Sequence, residues 1–425
     1  MSRNAVIFLL ITILLVGGLG RFLLASNFGY AYDVEEFRSF AQKAVHKGPF
    51  ELYLPDEKTD INYPPLLLWT LAGASSLFGG MGNGELPQFK IVLAGMLTAA
   101  DLGFCLVLFF LALPLGYPKA LAASALWAFN PLSLWDTGYW AQLNPYIILF
   151  TGLSVLMIVR QRWFWGGVMF ALACLIKPQP WALTPVILLW VFREARWKGL
   201  RQALLGMIIP AVIVWLGFLI AGRAPTLRLM FVALQANNNN ISFNGHNLWW
   251  IVEASGGGLI RGDKALLPML SYGQLAQLVA GIVLLLFGFL WIKRWWKVKG
   301  TNGVEMLASW SGAVFLFMPY MHENHAMLAL SLIMAAWALG RKLGWQLWLA
   351  TVLILGNCIL HDNMILRSSL AIDSSFWAKF IMLRGVDLDN VSLLTIVLSA
   401  ASVILWMWWA GSFLWRKDKD SVKEA

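Results

Sequence analysis

The sequence predicts an all-α polytopic membrane protein with about twelve or thirteen transmembrane or re-entrant helices. Three observations carry this. Of 425 residues, 59% are hydrophobic and 13% charged, far from the balance of a soluble domain. Apolar runs of helix-spanning length recur from end to end. Lys and Arg gather in every second connection from residue 160 onward, as cytoplasmic loops do. The net charge of +10 is too scattered among apolar runs for a nucleic-acid face, so no nucleic-acid partner is expected.

In chain order, the apolar segments lie near 5–24, 63–79, 89–113, 119–135, 144–159, 163–176, 180–192, 202–222, 273–292, 304–319, 325–340, 344–360 and 391–415. The first is longer than a signal-peptide core and lacks a small-residue exit, so it reads as a retained helix. The basic connections are 160–162, 193–201, 293–299, 341–342 and the tail from Arg416. Placing them and Arg3 inside puts both termini in the cytoplasm. That requires an even number of crossings. One of the three segments between 63 and 135 is therefore re-entrant, with Pro114 and Asn130-Pro131 as break points. Three parts follow: an N-terminal membrane module 1–222 with a first outer loop 25–62, a long outer loop 223–272, and a C-terminal membrane module 273–425. The loop 361–390, with His361, Asp362, Arg367 and Arg384, has room for a further interfacial helix.

The cysteines Cys105, Cys174 and Cys358 lie in or beside apolar segments without metal or disulfide spacing, and read as small buried residues. Asp101 lies inside an apolar segment, where a carboxylate must be paired or neutral. It serves transport or bonds a neighbouring helix, and the second is the simpler account.

The polar chemistry collects on the outer side. Tyr32-Asp33-Val34-Glu35-Glu36 opens a stretch to His46 with Phe37, Phe40, Ala41 and Ala44 on one face, suited to lying flat at the interface. A carboxylate there can act as a general base toward a hydroxyl. From spacing alone, charge capping of that helix by Asp33 is the simpler account. Asn62-Tyr63-Pro64-Pro65 starts a membrane helix, where proline costs little. Trp135 to Pro145 is an aromatic, polar turn containing Gln142. Lys177, alone between two apolar segments, is either a snorkelling lysine or a phosphate-binding cation.

The 223–272 loop carries Arg223 and Arg228, the run Asn237–Asn240, then Ser242, Asn244, His246, Asn247 and Trp249. Amides among aromatics suit a carbohydrate, and equally a polar loop. His322, Glu323 and His325 form a short ionisable turn without the His-Glu-x-x-His zinc spacing, so no protease is assigned; the two histidines suit a phosphate leaving group or a metal, and equally a hydrated loop turn.

Taken in order, these pieces resemble the GT-C superfamily of polytopic glycosyltransferases, and more narrowly prokaryotic mannosyltransferases related to the second GPI mannosyltransferase. Trp140-Ala141-Gln142 resembles the family's Trp-Gly-Gln turn, and the stretch through Lys177-Pro178-Gln179 its Lys-Pro-Gln stretch. Ser242-Phe243-Asn244, Asn247-Leu248-Trp249 and Met321-His322-Glu323 complete the series. Two departures stand out. Asn144 replaces the acid of Trp-Gly-Gln-x-Asp, and Met-His-Glu-Asn-His replaces Met-His-Glu-Arg-Tyr.

The resemblance implies a GT-C fold and transfer of a hexose, most simply mannose, from a polyprenyl-phosphate donor to a lipid or glycan hydroxyl. The transfer would invert the anomeric centre on the extracytoplasmic face of a prokaryotic plasma membrane, or alternatively in an endoplasmic reticulum membrane. It implies Asp33 as the general base, with Glu35 and Glu36 as acidic support. Lys177, His322 and Arg228 would meet the donor phosphate. Gln142, Asn244, His246, Asn247, Trp249, Glu323 and His325 would line the sugar or acceptor. It requires no cofactor and leaves room for a divalent metal. Two other readings remain at this level: a lipid-linked glycan flippase or transporter, and a lipid-diphosphate-dependent polymerase or ligase.

Overall fold

The computed structural model describes residues 1–26, 31–54, 61–77, 86–236, 240–255, 260–297, 303–369 and 393–415. Each of the apolar segments anticipated above coincides with helix. Among the described residues, five helical stretches are long and apolar enough to cross a membrane: Arg3–Ala25, Leu86–Leu115, Gln179–Ile220, Tyr272–Trp296 and Leu394–Ser412. The chain divides into two compact units: Met1–Asn237 with Met334–Lys342, and Asn238–Ile333 with Leu343–Ala425. The division falls inside the 223–272 stretch read above as one loop.

In the first unit, α1 (Arg3–Ala25) turns Ile7, Phe8, Ile11, Leu15, Leu19 and Phe22 outward. That face is tolerable only in lipid. Its other side packs on α4 (Leu86–Ala112) and α5 (Tyr117–Ala128). In chain order α2 (Ala31–Lys47) and α3 (Pro65–Leu77) fall between α1 and α4. The structure corrects one expectation for α2. Phe37, Phe40, Ala41 and Ala44 are buried, and the helix packs on α3 and α4, so this face meets protein where lipid was expected.

The segment expected to run from 119 to 135 is broken. α5 ends at Ala128, and Asn130 accepts the N–H groups of Leu132 and Ser133, starting the single turn α6 (Pro131–Leu134). A π-helical turn, Trp135–Trp140, follows. Gly138 in that turn lies against α1: a Cβ there would sit 2.7 Å from the Arg21 carbonyl oxygen and 2.9 Å from Leu24 Cβ.

α7 (Asn144–Val159), α8 (Trp163–Cys174) and α9 (Thr184–Ile220) pack in succession. α9 has 37 residues, about 55 Å at 1.5 Å per residue, nearly twice a bilayer core. Arg196, at φ 53° and ψ −150°, breaks it within the basic 193–201 stretch, so the two segments expected there are two helical pieces. Gly206 abuts the Phe164 carbonyl oxygen, a close approach that a side chain would block. α10 (Leu227–Ala236) closes the series.

A buried polar network ties five of these elements together. The Arg21 guanidinium donates to Asp101 Oδ2 at 2.7 Å, to the carbonyls of Gly17 and Ala128 at 2.9 and 2.8 Å, and to Ser133 Oγ at 2.5 Å. Asp101 also accepts from Trp127 Nε1 at 2.6 Å, Ser133 Oγ at 2.6 Å and Thr137 Oγ1 at 3.1 Å. Asp101 is therefore paired and hydrogen-bonded between helices, the simpler of its two readings.

The second unit contains α11 (Leu248–Ser255), a hairpin of β1 (Ala265–Leu267) and β2 (Leu270–Ser271), α12 (Tyr272–Lys297), α13 (Gly303–Phe317), α14 (Met327–Ala338, whose last turn belongs to the first unit), α15 (Gly344–Ser369) and α16 (Leu393–Trp415). α16 packs on α11, α13 and α15. Trp250 Nε1 donates to Thr395 Oγ1 at 3.0 Å, and Trp406 Nε1 to the Ser309 carbonyl at 2.8 Å. Of the 361–390 loop, 361–369 continue α15, and 370–390 lie outside the described residues. The basic tail from Arg416 lies outside them too.

Candidate active site

In the first unit, the site is assembled around Asp33 in the first turn of α2. Trp140 Nε1 donates to Asp33 Oδ2 at 3.0 Å, and Gln142 Nε2 donates to the same oxygen. Ala141 lies between them at φ 62° and ψ 40°, the left-handed region. That bend lets side chains two residues apart reach one oxygen. The Gln142 amide is oriented, since its Oε1 accepts from Leu143 N at 3.3 Å while its Nε2 faces the carboxylate.

Glu36 is one turn further along α2, half-buried, and burial raises its carboxyl above the ordinary range. Glu35 points elsewhere, pairing with Arg38 at 2.6 Å on the surface. Tyr63 lies against Phe37 and Phe40, at centroid distances of 6.1 and 5.9 Å. Its hydroxyl is held protonated, first by burial and then by the nearby charges of Glu36 and Asp33.

Lys177 lies over the Tyr63 ring, its Nζ 5.9 Å from the centroid. It is 3% exposed and donates to Asn144 Oδ1 at 3.0 Å. Asn144 Nδ2 in turn donates to Asp136 Oδ1 at 2.8 Å. The Pro64-Pro65 corner is tied to the lysine segment, since Leu66 N donates to the Leu175 carbonyl at 3.1 Å. Asp33 and Gln142, and Asn144 and Lys177, scattered in sequence, are thus hydrogen-bonded pairs, with Tyr63 near both Asp33 and Lys177. An apolar cavity of about 370 Å³ runs away from the same corner. It is walled by Pro64, Pro65, Cys174, Trp181, Val214 and Phe231, among others. Arg228 is exposed on α10, whose Leu227, Met230 and Phe231 also face the cavity.

The remaining candidates belong to the second unit. Residues 241–245 run beside Tyr320–His322: Tyr320 N donates to the Ile241 carbonyl at 2.9 Å, and Phe243 N and Gly245 N both donate to the Met321 carbonyl at 3.1 Å. The Phe243 ring stacks on His322 at 4.8 Å, and His325 lies 5.2 Å from His322. Their turn, Glu323–Ala326, is 3-10, with Glu323 buried. Asn357 bridges the loop, donating to the Asn244 carbonyl at 2.7 Å and accepting from His246 N at 2.9 Å.

Asn247 is fully buried. Its Oδ1 caps Trp249 N and Trp250 N at 3.0 and 3.1 Å. Trp249 Nε1 donates to the Phe317 carbonyl at 2.7 Å. These two side chains are committed to main-chain partners and shape the loop. The His246 imidazole is buried beside Trp250, 5.9 Å between centroids. Among the described residues, no group of three or more His, Cys, Asp or Glu side chains is arranged to hold a metal.

Sequence reasoning passed over Asp136, Tyr63, Arg21 and Glu253 as participants. Asp136 and Tyr63 lay inside stretches already singled out, and their role is visible only from the contacts. Glu253 accepts from Ser242 N at 3.1 Å and Ile260 N at 3.2 Å. Burial pushes its carboxyl up to about 7, against the lowering pull of those backbone donors.

A half-buried carboxylate held by neutral donors, a buried cation and an adjoining apolar cavity fit an integral membrane enzyme with room for an apolar ligand. The chain belongs to glycosyltransferase family 87, whose family model matches residues 63–319. No curated protein matches it. The protein is therefore an all-α polytopic membrane glycosyltransferase, and acts between a sugar donor and an acceptor. The match agrees with the wider GT-C resemblance; it begins downstream of Asp33.

Proposed function

We propose that the protein transfers a hexose, most simply mannose, from a polyprenyl-phosphate donor to an acceptor hydroxyl. Asp33 is the general base in this reading. It takes the acceptor proton as the oxygen attacks the anomeric carbon opposite the lipid phosphate, with inversion. The carrying observation is the pair of donors, Trp140 and Gln142, on one oxygen of Asp33. They fix the carboxylate's direction without neutralising it. The lipid phosphate leaves as an anion, and a buried cation such as Lys177 would stabilise it in a low-dielectric setting. The apolar cavity beside Pro64-Pro65 suits the first isoprene units of the donor.

Arg228, exposed on α10, and His322 are each proposed as donor-phosphate contacts. Asn244, His246, Glu323 and His325 are proposed for sugar or acceptor recognition. The reaction is proposed to need no cofactor, because the donor arrives activated. The alternation of basic connections supports an extracytoplasmic site with both termini cytoplasmic, in a prokaryotic plasma membrane. The Arg21–Asp101 pairing speaks against a transporter, since that intramembrane acid is spent on helix packing. The test is transfer from radiolabelled polyprenyl-phosphate mannose and glucose to a lipid and glycan acceptor panel. Product with inverted anomeric configuration supports the reading. Transfer from a lipid-diphosphate donor alone replaces it with the polymerase or ligase reading.

A further inference from the structure

A buried ammonium only donates hydrogen bonds, and a carboxylate only accepts them. An asparagine between the two is satisfied in one orientation, with its amide nitrogen toward the acid and its oxygen toward the cation. Lys177, Asn144 and Asp136 stand in this order, at 3.0 and 2.8 Å, and are 3%, 1% and 1% exposed. Asn144 is the first residue of α7, and Asp136 lies in the π-helical turn eight residues earlier. That turn also carries Trp140, one of the two donors to Asp33. The Gln142 N–H donates to the Asp136 carbonyl at 2.9 Å. One short segment thus orients the carboxylate Asp33 directly and reaches the cation Lys177 through an amide.

We propose that Asp136 is a positioning residue for Lys177, acting through Asn144. The carboxylate locks the amide's orientation, and the amide oxygen directs the ammonium. Asp136 also supplies a formal negative charge close to a cation removed from water. Asn144 alone is neutral and cannot do this. The proposal rests on the reading that Lys177 meets the donor phosphate.

The test uses the full chain in nanodiscs and measures binding of polyprenyl phosphate against the neutral polyprenol. The variants are Lys177→Met, Asp136→Asn, Asn144→Asp and the exchange Asp136→Asn/Asn144→Asp. Lys177→Met is expected to abolish the preference for the phosphate. Each single change in the acid–amide pair is expected to weaken phosphate binding about tenfold and leave polyprenol unchanged. Asn144→Asp sets two carboxylates side by side, whereas the exchange places one carboxylate directly on the lysine. The exchange should therefore recover affinity to within about threefold of wild type, a sign reversal that mere loss of packing does not produce.

If Lys177→Met binds phosphate like wild type, the reading of Lys177 fails. If Lys177→Met weakens binding and Asp136→Asn does not, that reading stands and the positioning role is overturned. An exchange no better than either single variant also overturns it. Should Asp136→Asn not yield monodisperse protein, Asn144→Leu cuts the same chain one link nearer the lysine, and unchanged phosphate binding there overturns the proposal.

Discussion

Asp33 is where the residue scale matters most, because its carboxylate is aimed by two donors that converge only through the left-handed Ala141. A Cβ in that region costs about 1–2 kcal/mol, while glycine gives back about 0.4–1 kcal/mol through its looser unfolded chain. Ala141→Gly should therefore raise unfolding stability modestly, by up to about 1 kcal/mol, with transfer retained. Thermal unfolding beside an activity assay checks this, and a marked loss of stability would contradict it. Gln142→Leu removes one donor and keeps the turn. It should lower turnover about ten- to a hundredfold with folding intact, measured as initial rates at saturating donor.

Glu253 gives a prediction in pH. Its folded-state value near 7 lies above the ordinary carboxylate value of about 4.3. The folded protein thus binds the proton more tightly than the unfolded chain, so stability falls as pH rises from about 4.5 to 7 and is level above. Glu253→Gln keeps an acceptor for Ser242 and Ile260, and should flatten that slope. The difference amounts to at most about 3 kcal/mol across the window. Unfolding at pH 5 and pH 8 for both proteins reads it directly. Lys177 was visible in the sequence as a charge alone between apolar segments, Asp33 within an acidic outer stretch, Gln142 within a polar aromatic turn, and Asn144 as a departure from the family motif. Asp136 and Glu253 were not singled out, because a carboxylate in a polar stretch draws no notice until its burial is known.

The element scale turns on how α1, α4 and α5 meet the turn that carries Trp140. Arg21 and Asp101 join them, both almost wholly buried. Removing one partner leaves an uncompensated charge in the interior, which costs about 3–5 kcal/mol. Asp101→Leu should accordingly lower stability sharply. The double change Arg21→Met/Asp101→Leu should be the more stable of the two, and a thermal-stability cycle over the four proteins decides it. Gly138→Ala should push the turn off α1, because the added carbon meets the Arg21 carbonyl oxygen at 2.7 Å. Hydropathy located the long apolar helices, since the period and length of apolar runs are local properties, but α10 and α11 lie in the 223–272 stretch read as a loop. The sequence offered Asn130-Pro131 as a break point, but not the π turn that follows it, because a π turn is set by its tertiary neighbours. It also assigned the apolar face of α2 to lipid: an amphipathic helix looks the same whether its partner is lipid or protein.

For the whole molecule, the family match and the membrane helices define a glycosyltransferase, while donor, sugar and stereochemistry rest on the proposal. The motif order in sequence pointed to the class. The geometry adds that Asp33, Tyr63, Asn144 and Lys177 come together within the first unit, next to an apolar cavity. The most direct test is transfer of radiolabelled mannose from polyprenyl-phosphate mannose by purified wild type and by Asp33→Asn, each checked for a monodisperse fold. The account predicts transfer by wild type and a loss of at least about a hundredfold in the variant. Undiminished transfer by a well-folded Asp33→Asn would contradict it.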